Sequence, residues 1–170
     1  IHEAISANTR KAYQRDLRRF LNWGGRIPAA SPETIAEYLS AHAETHKVAT
    51  LERWKVSIGK AHSTRGFQNP CKSELVKTVL RGIKRTHGTA QRAVTPAMRE
   101  DLIRMTSLMG DRLIDIRDQA LLLLGFSSAL RRSELVALNF SDVQESPKGL
   151  TVNITRSKTD QLQEGRKVGV

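Results

Sequence analysis

The chain is 170 residues long, enough for two small domains or one medium one with a real core, and it carries 28 Lys+Arg against 17 Asp+Glu, a formal net charge of +11. Such a balance favours a polyanionic partner. A single cysteine, Cys71, excludes an internal disulfide framework and a multi-cysteine zinc module, and the longest apolar run, Ala120 to Phe126, is too short to span a bilayer.

The charge is uneven. Residues 1–94 hold 17 Lys+Arg and 7 Asp+Glu, a net of +10, whereas residues 95–170 hold 11 and 10, a net of +1. The first part is therefore expected to bind the anionic partner. The N-terminus lacks the charged-then-apolar pattern of a signal peptide, so a cytoplasmic protein, nucleoid-associated if bacterial, is expected.

In chain order, Ser6 or Asn8 can cap a first helix to about Asn22, with Tyr13, Leu17, Phe20 and Leu21 inward and Arg10, Lys11, Arg15, Arg18 and Arg19 on the other side. Gly24-Gly25 stops it. Ser31-Pro32 opens a second helix to about Glu44 with Ile35, Tyr38 and Leu39 inward. A third, from about Ala49 to Arg65, is expected to bury Leu51, Trp54, Ile58, Ala61 and His62 and to turn Arg53, Ser57, Lys60 and Thr64 outward. Gly66 and Asn69-Pro70 break it. A fourth, Ser73 to about Thr86, buries Leu75, Val76, Val79, Leu80 and Ile83 and ends in Arg81, Lys84 and Arg85.

His87 to Ala93 has neither helical nor strand period and marks a domain boundary, giving a helical domain over 1–88, a linker over 89–94 and a second domain over 95–170. There Thr95-Pro96 is expected to open a helix with Met98, Leu102, Met105 and Met109 inward, and the nearly all-apolar helix from Asp115 to Phe126 is expected to be buried. A doubled arginine, Arg131-Arg132, opens a helix to about Leu138. After a turn at Ser146-Pro147-Lys148-Gly149, Leu150, Val152 and Ile154 alternate with Thr151, Asn153 and Thr155 as a half-buried strand, and Lys167 to Val170 suits a returning strand. The fold class expected is mainly α, a four-helix domain followed by an α+β segment with a small antiparallel sheet.

The run Ala-Leu-Arg-Arg-Ser-Glu-Leu at 129–135, followed by a strand and the turn lysine of Arg-Ser-Lys-Thr at 156–159, resembles the opening of the catalytic domain of the tyrosine recombinases, or phage-type integrases, and the whole length is most similar to their Cre-like members. The resemblance implies a SAM-like core-binding domain over 1–88 and a truncated catalytic domain after it. It also implies site-specific DNA recombination through a 3′-phosphotyrosine intermediate, with no cofactor and no metal. Arg131 matches the family's first phosphate-binding arginine, Glu134 the acidic residue that orients it, and Lys158 the general acid that protonates the leaving 5′-oxygen, with Lys167 as the alternative. The partners implied are double-stranded DNA and other copies of the protein in a synaptic tetramer, with no membrane involved.

The family's His-x-x-Arg pair, a further His or Trp and the tyrosine nucleophile do not follow Arg131 in this chain, and Tyr13 and Tyr38 sit at core spacing in the first domain. With Ile1 at its start, the chain is expected to be a piece of a longer protein that binds DNA but cannot cut it. The candidate DNA contacts are Arg53, Ser57 and Lys60 on the third helix, with Arg10, Lys84 and Arg132 beside them. His42 and His46, four apart, could in principle hold a metal, but no acidic or cysteine partner accompanies them. The rival function is a stand-alone helical DNA-binding regulator, which leaves residues 113–170 without a purpose. An RNA-binding role is disfavoured because the chain lacks exposed aromatic platforms.

Overall fold

A computed structural model describes residues 5–90, 93–155, 157, 160 and 165–170. The chain forms two compact units, Ile1–Ala93 and Val94–Val170.

The first unit holds four helices: α1 (Ala7–Trp23), α2 (Pro32–Ala41), α3 (Val48–Ser63) and α4 (Glu74–His87). Three begin at serine caps. Ser6, Ser31 and Ser73 accept from the backbone N–H of Thr9, Thr34 and Val76, so each helix starts with one orphan donor satisfied. Gly24, in the left-handed conformation at φ 111°, ends α1. α1 packs on α3 and α2 on α4, around Phe20, Ile35, Tyr38, Leu39, Leu51, Trp54, Ile58, Val76 and Leu80.

A turn over Pro70–Lys72 closes against α3. Asn69 accepts from the Cys71 N–H at 2.9 Å, and a Cβ built on Gly59 would come within 2.6 Å of the Asn69 amide, so only glycine allows this approach. Burial pushes the Cys71 thiol up to about 11, which keeps it protonated at neutral pH. Two sequence expectations for α1 and α4 fail on the surface: Leu21 and Leu75 are exposed.

The second unit holds α5 (Arg99–Ser107), α6 (Leu113–Ser127), the short α7 (Arg132–Leu135) and strands β1 (Val143–Ser146), β2 (Gly149–Ile154) and β3 (Arg166–Gly169). The sheet is antiparallel in the order β1-β2-β3, with Val143 opposite Val152 and Val152 opposite Val168. The β1-β2 hairpin turns at Pro147-Lys148, where the Ser146 hydroxyl donates to the Gly149 carbonyl at 2.9 Å.

Three expectations for this unit are corrected. α5 starts at Arg99 rather than near Thr95, because the Asp101 carboxylate accepts the Met98 N–H at 3.0 Å and its charge suits a helix N-terminus. Met98 and Met105 are then exposed. α7 stops at Leu135 rather than Leu138, because Ala137 and Leu138 bond back three residues, to the carbonyls of Glu134 and Leu135, instead of four. α6 is not buried: none of its residues reaches full burial, and Leu123 is 47% exposed. The reason is the small mass around it, since within its unit only α5 and α7 pack against it to any extent.

Candidate active site and nucleic-acid interface

Arg131 stands at the junction of α6 and α7, and local backbone chemistry puts it there. The Leu130 N–H bonds the Gly125 carbonyl and the Ala129 N–H bonds the Phe126 carbonyl, a Schellman closure of α6. That closure needs a left-handed residue, and the chain supplies Ala129 at φ 48°. A left-handed alanine costs roughly 1–2 kcal/mol, partly offset in a glycine variant by about 0.5–1 kcal/mol of extra chain entropy. Ala129→Gly is thus expected to raise stability by up to about 1 kcal/mol, and Ala129→Val, β-branched at a left-handed position, to lower it by more. Thermal melts of both variants check this.

The chain then turns into α7, and Glu134 reaches back over the turn. One carboxylate oxygen accepts the Arg131 backbone N–H at 2.9 Å and the other accepts an Arg131 Nη1 hydrogen at 2.8 Å. Glu134 is 2% exposed, while the Arg131 side chain is 46% exposed. A buried carboxylate thus fixes both ends of an arginine whose guanidinium opens to solvent. Arg166 on β3 adds a second positive charge, with Nη2 3.7 Å from Glu134.

The Arg131 backbone N–H, more than any other cause, holds the Glu134 carboxyl below its ordinary 4.5, against the opposing effect of burial. A lowered carboxyl contributes stability that is complete above the ordinary value and drains away as pH falls through the folded one. Melts from about pH 5 down to about pH 3 are expected to show the second unit weakening, and Glu134→Gln to flatten that slope.

Arg132 is exposed on α7. Lys158, the expected general acid, lies outside the described residues. Lys167 follows Arg166 on β3 and therefore points to the sheet face opposite to the one from which Arg166 reaches Glu134. Arg166 was missed in the sequence, where only its neighbour Lys167 matches the strand lysine that the resemblance implies.

In the first unit, Arg10, Ser57 and Lys60 line one cavity of about 490 Å³ between α1 and α3, with Tyr13, Leu17 and Arg65. The expected outward face of α3 needs one correction. Ser57 is buried at 1% exposure, and its hydroxyl donates to the Trp54 carbonyl at 2.9 Å. The Arg53-Ser57-Lys60 stripe runs along the seam with α1, so the small serine packs inside while the long cations on either side reach out.

Arg53 shows the seam's chemistry best. Its Nε and Nη2 both donate to the Asp16 carboxylate of α1 at 2.9 Å, and Asp16 is buried. The bond to Asp16 raises the Arg53 pKa further, so the guanidinium stays charged. Asp16 was missed as well. Its signal is visible in hindsight: it is the lone acid of α1, at inward spacing with Tyr13, Leu17 and Phe20.

Lys84 is half-buried and pairs with Glu52 of α3, so much of its charge is answered inside the unit. Tyr38 lies in the core, where burial pushes its hydroxyl well above the usual range. His42 and His46 pack on Trp54, with ring centroids 5.3 and 4.7 Å away. Among the described residues no group of three or more His, Cys, Asp or Glu could hold a metal, and no helix is long and apolar enough to cross a membrane.

No protein-family model matches the chain. An integrase/recombinase xerD homolog of Selenomonas ruminantium is 36% identical over 100% of the chain, which covers 52% of that protein. The tyrosine recombinase XerC of Xanthomonas axonopodis pv. citri is 30% identical over 84% of the chain and 50% of its own length. The chain spans about half the length of the curated relatives it matches. In fold it is similar to the Tn1549 transposon integrase solved in complex with transposon right end DNA, with a TM-score of 0.68 at 18% identity over 98% of the chain and 56% of that one. Matched from end to end by one such protein and over most of its length by another, the chain belongs to the tyrosine recombinase family.

Proposed function

We propose that this chain takes part in site-specific DNA recombination, a first domain over 1–88 within the first unit holding duplex DNA and a second over 95–170 within the second unit presenting a scissile phosphate for attack, with 89–94 as the linker. The observation that carries the reading is the grip of Glu134 on Arg131. A guanidinium fixed by a buried carboxylate and open on its other side suits the negative charge that develops on a pentavalent phosphorane.

In the reaction a tyrosine oxygen bonds to phosphorus while the bond from phosphorus to the 5′-oxygen breaks, and a proton passes to that oxygen. Arg131 would stabilise the charge and Lys158 would supply the proton. Neither Tyr13, on the α1–α3 seam, nor Tyr38, in the core, suits the attack, so the nucleophile is assigned outside these 170 residues. The second strand would be religated by the reverse steps, within a synaptic tetramer acting on DNA in the cytoplasm.

On the first unit, α3 would enter the major groove with Arg53 and Lys60 at its open edge and Arg10 across the seam. Arg10 and Lys60 are exposed and suit phosphate contacts. Each removed phosphate contact is expected to weaken binding for all sequences alike and to lower the salt slope by about 1. Titrating duplex binding of Arg10→Ala and Lys60→Ala against salt tests this; an unchanged slope in both would reject the α1–α3 seam as the interface.

A further inference from the structure

The pair formed by Asp16 and Arg53 asks more than packing does. Asp16 is the lone acid on a helix with five basic residues, and it lies 96% out of solvent at its side chain, while Arg53 is 50% exposed. Both carboxylate oxygens are engaged, one by Nε and one by Nη2 of the same guanidinium. A guanidinium has five N–H donors in one plane. With one edge bound to Asp16, the edge made by Nη1 and the second Nη2 hydrogen remains, and its direction is fixed by a buried anchor.

A phosphate contact does not need this. The cations at the cavity rim can follow a phosphate by flexing, as long side chains do. A locked, planar, two-donor edge instead suits two acceptors fixed in one plane at matching separation. In the major groove that pattern is O6 and N7 of guanine. Pre-organisation also removes most of the rotamer entropy that a free arginine would lose on contact.

We propose that Arg53 reads one guanine of the bound duplex through its Nη1/Nη2 edge, and that Asp16 is the positioning residue that aims it. This rests on the DNA-binding reading above. It makes Asp16, which never touches DNA, a determinant of sequence preference.

The experiment starts with a duplex that the chain selects from a randomised pool, in which each guanine is then replaced singly by 7-deazaguanine, which lacks the N7 acceptor. The chain is expected to lose about 5- to 100-fold in affinity at one position, in line with one lost bidentate base contact. Arg53→Lys, which keeps the charge but not the fork, should bind more weakly and be indifferent to that replacement. Asp16→Asn, close in shape, should lose the same discrimination while keeping its salt slope, a result that loss of packing alone would not produce. Melting of each variant establishes that it is folded. Should Asp16→Asn fail to fold, Arg53→Lys against 7-deazaguanine decides the matter.

Sensitivity at no single guanine would overturn the proposal. So would a folded Asp16→Asn with full discrimination, or an Arg53 effect that tracks one neutral methylphosphonate in place of a guanine, which would make Arg53 a phosphate contact. Absence of any duplex binding by the unaltered chain would instead reject the DNA-binding reading itself, and this inference with it.

Discussion

Arg131→Ala, introduced into a form of this chain extended by the nucleophile-bearing segment proposed above, is expected to lower formation of the covalent protein–DNA adduct by at least about 10²–10³-fold, the loss typical of removing one preorganised donor to developing charge. Duplex binding should change little, because the affinity is assigned to the first unit. Trapping on a nicked duplex, with the adduct resolved on a denaturing gel, reads the first quantity, and retention of the same duplex reads the second. Arg131→Lys separates charge from geometry. It restores a cation near Glu134 but not a planar fork, so it should recover only part of the loss. An adduct yield unchanged in Arg131→Ala would remove the arginine from the reaction and leave its tie to Glu134 as a helix-start device.

The other large effect is structural. Trp54 is 1% exposed and touches Tyr38, His42 and His46, with the Arg19 guanidinium 5.1 Å over its ring. Trp54→Ala removes the largest side chain of the first core, a change that costs about 3–5 kcal/mol. Domains of this kind have roughly 5–15 kcal/mol in all. The first unit is therefore expected to melt at much lower denaturant and to lose DNA binding at moderate temperature. Urea titration followed by circular dichroism and by Trp23 fluorescence measures it. Trp54→Phe, which keeps the ring packing against Tyr38, should cost far less.

What the sequence made legible follows from how local each determinant is. Serine caps at 6, 31 and 73 could be read because a cap involves its own first turn and nothing else. The strand β2 could be read because Val152 and Ile154 face a core while Thr151 and Asn153 do not. Its partner β1 could not: Val143-Gln144-Glu145-Ser146 has one apolar residue in four and is held mainly by its backbone pairing with β2. Ser57 misled because polarity was taken for exposure, whereas a serine in a helix can satisfy its hydroxyl on the preceding turn and pack as a small residue. α6 misled in the opposite sense. A nearly all-apolar pattern says that a helix suits burial, not that the elements of its own unit cover it.

At the candidate site, Arg131 and Glu134 were visible as a motif, and the spacing of three from a helix start is the signature of the bond from Glu134 back to the Arg131 N–H; only the second bond, to the Arg131 guanidinium, had to come from the structure. The ion pair from α1 to α3 is longer in range still. Asp16 and Arg53 are 37 positions apart, beyond any periodicity argument.

Gly59 has a bearing on all of this that reaches past its own contacts. The Asn69 amide sits where a side chain at 59 would have to be, so the two segments meet like a pin in a slot. A slot on a cylinder fixes more than distance: it fixes the angle to which the cylinder is turned. Each residue of a helix is about 100° around from the last, so setting the azimuth of position 59 sets that of every other position on α3. The direction in which Arg53 and Lys60 face is thus referenced to the turn at Asn69 and Pro70–Lys72, an element outside the α1–α3 seam. Widening the slot or filling it would swing the whole basic edge of α3 together, as turning a key moves all its teeth at once.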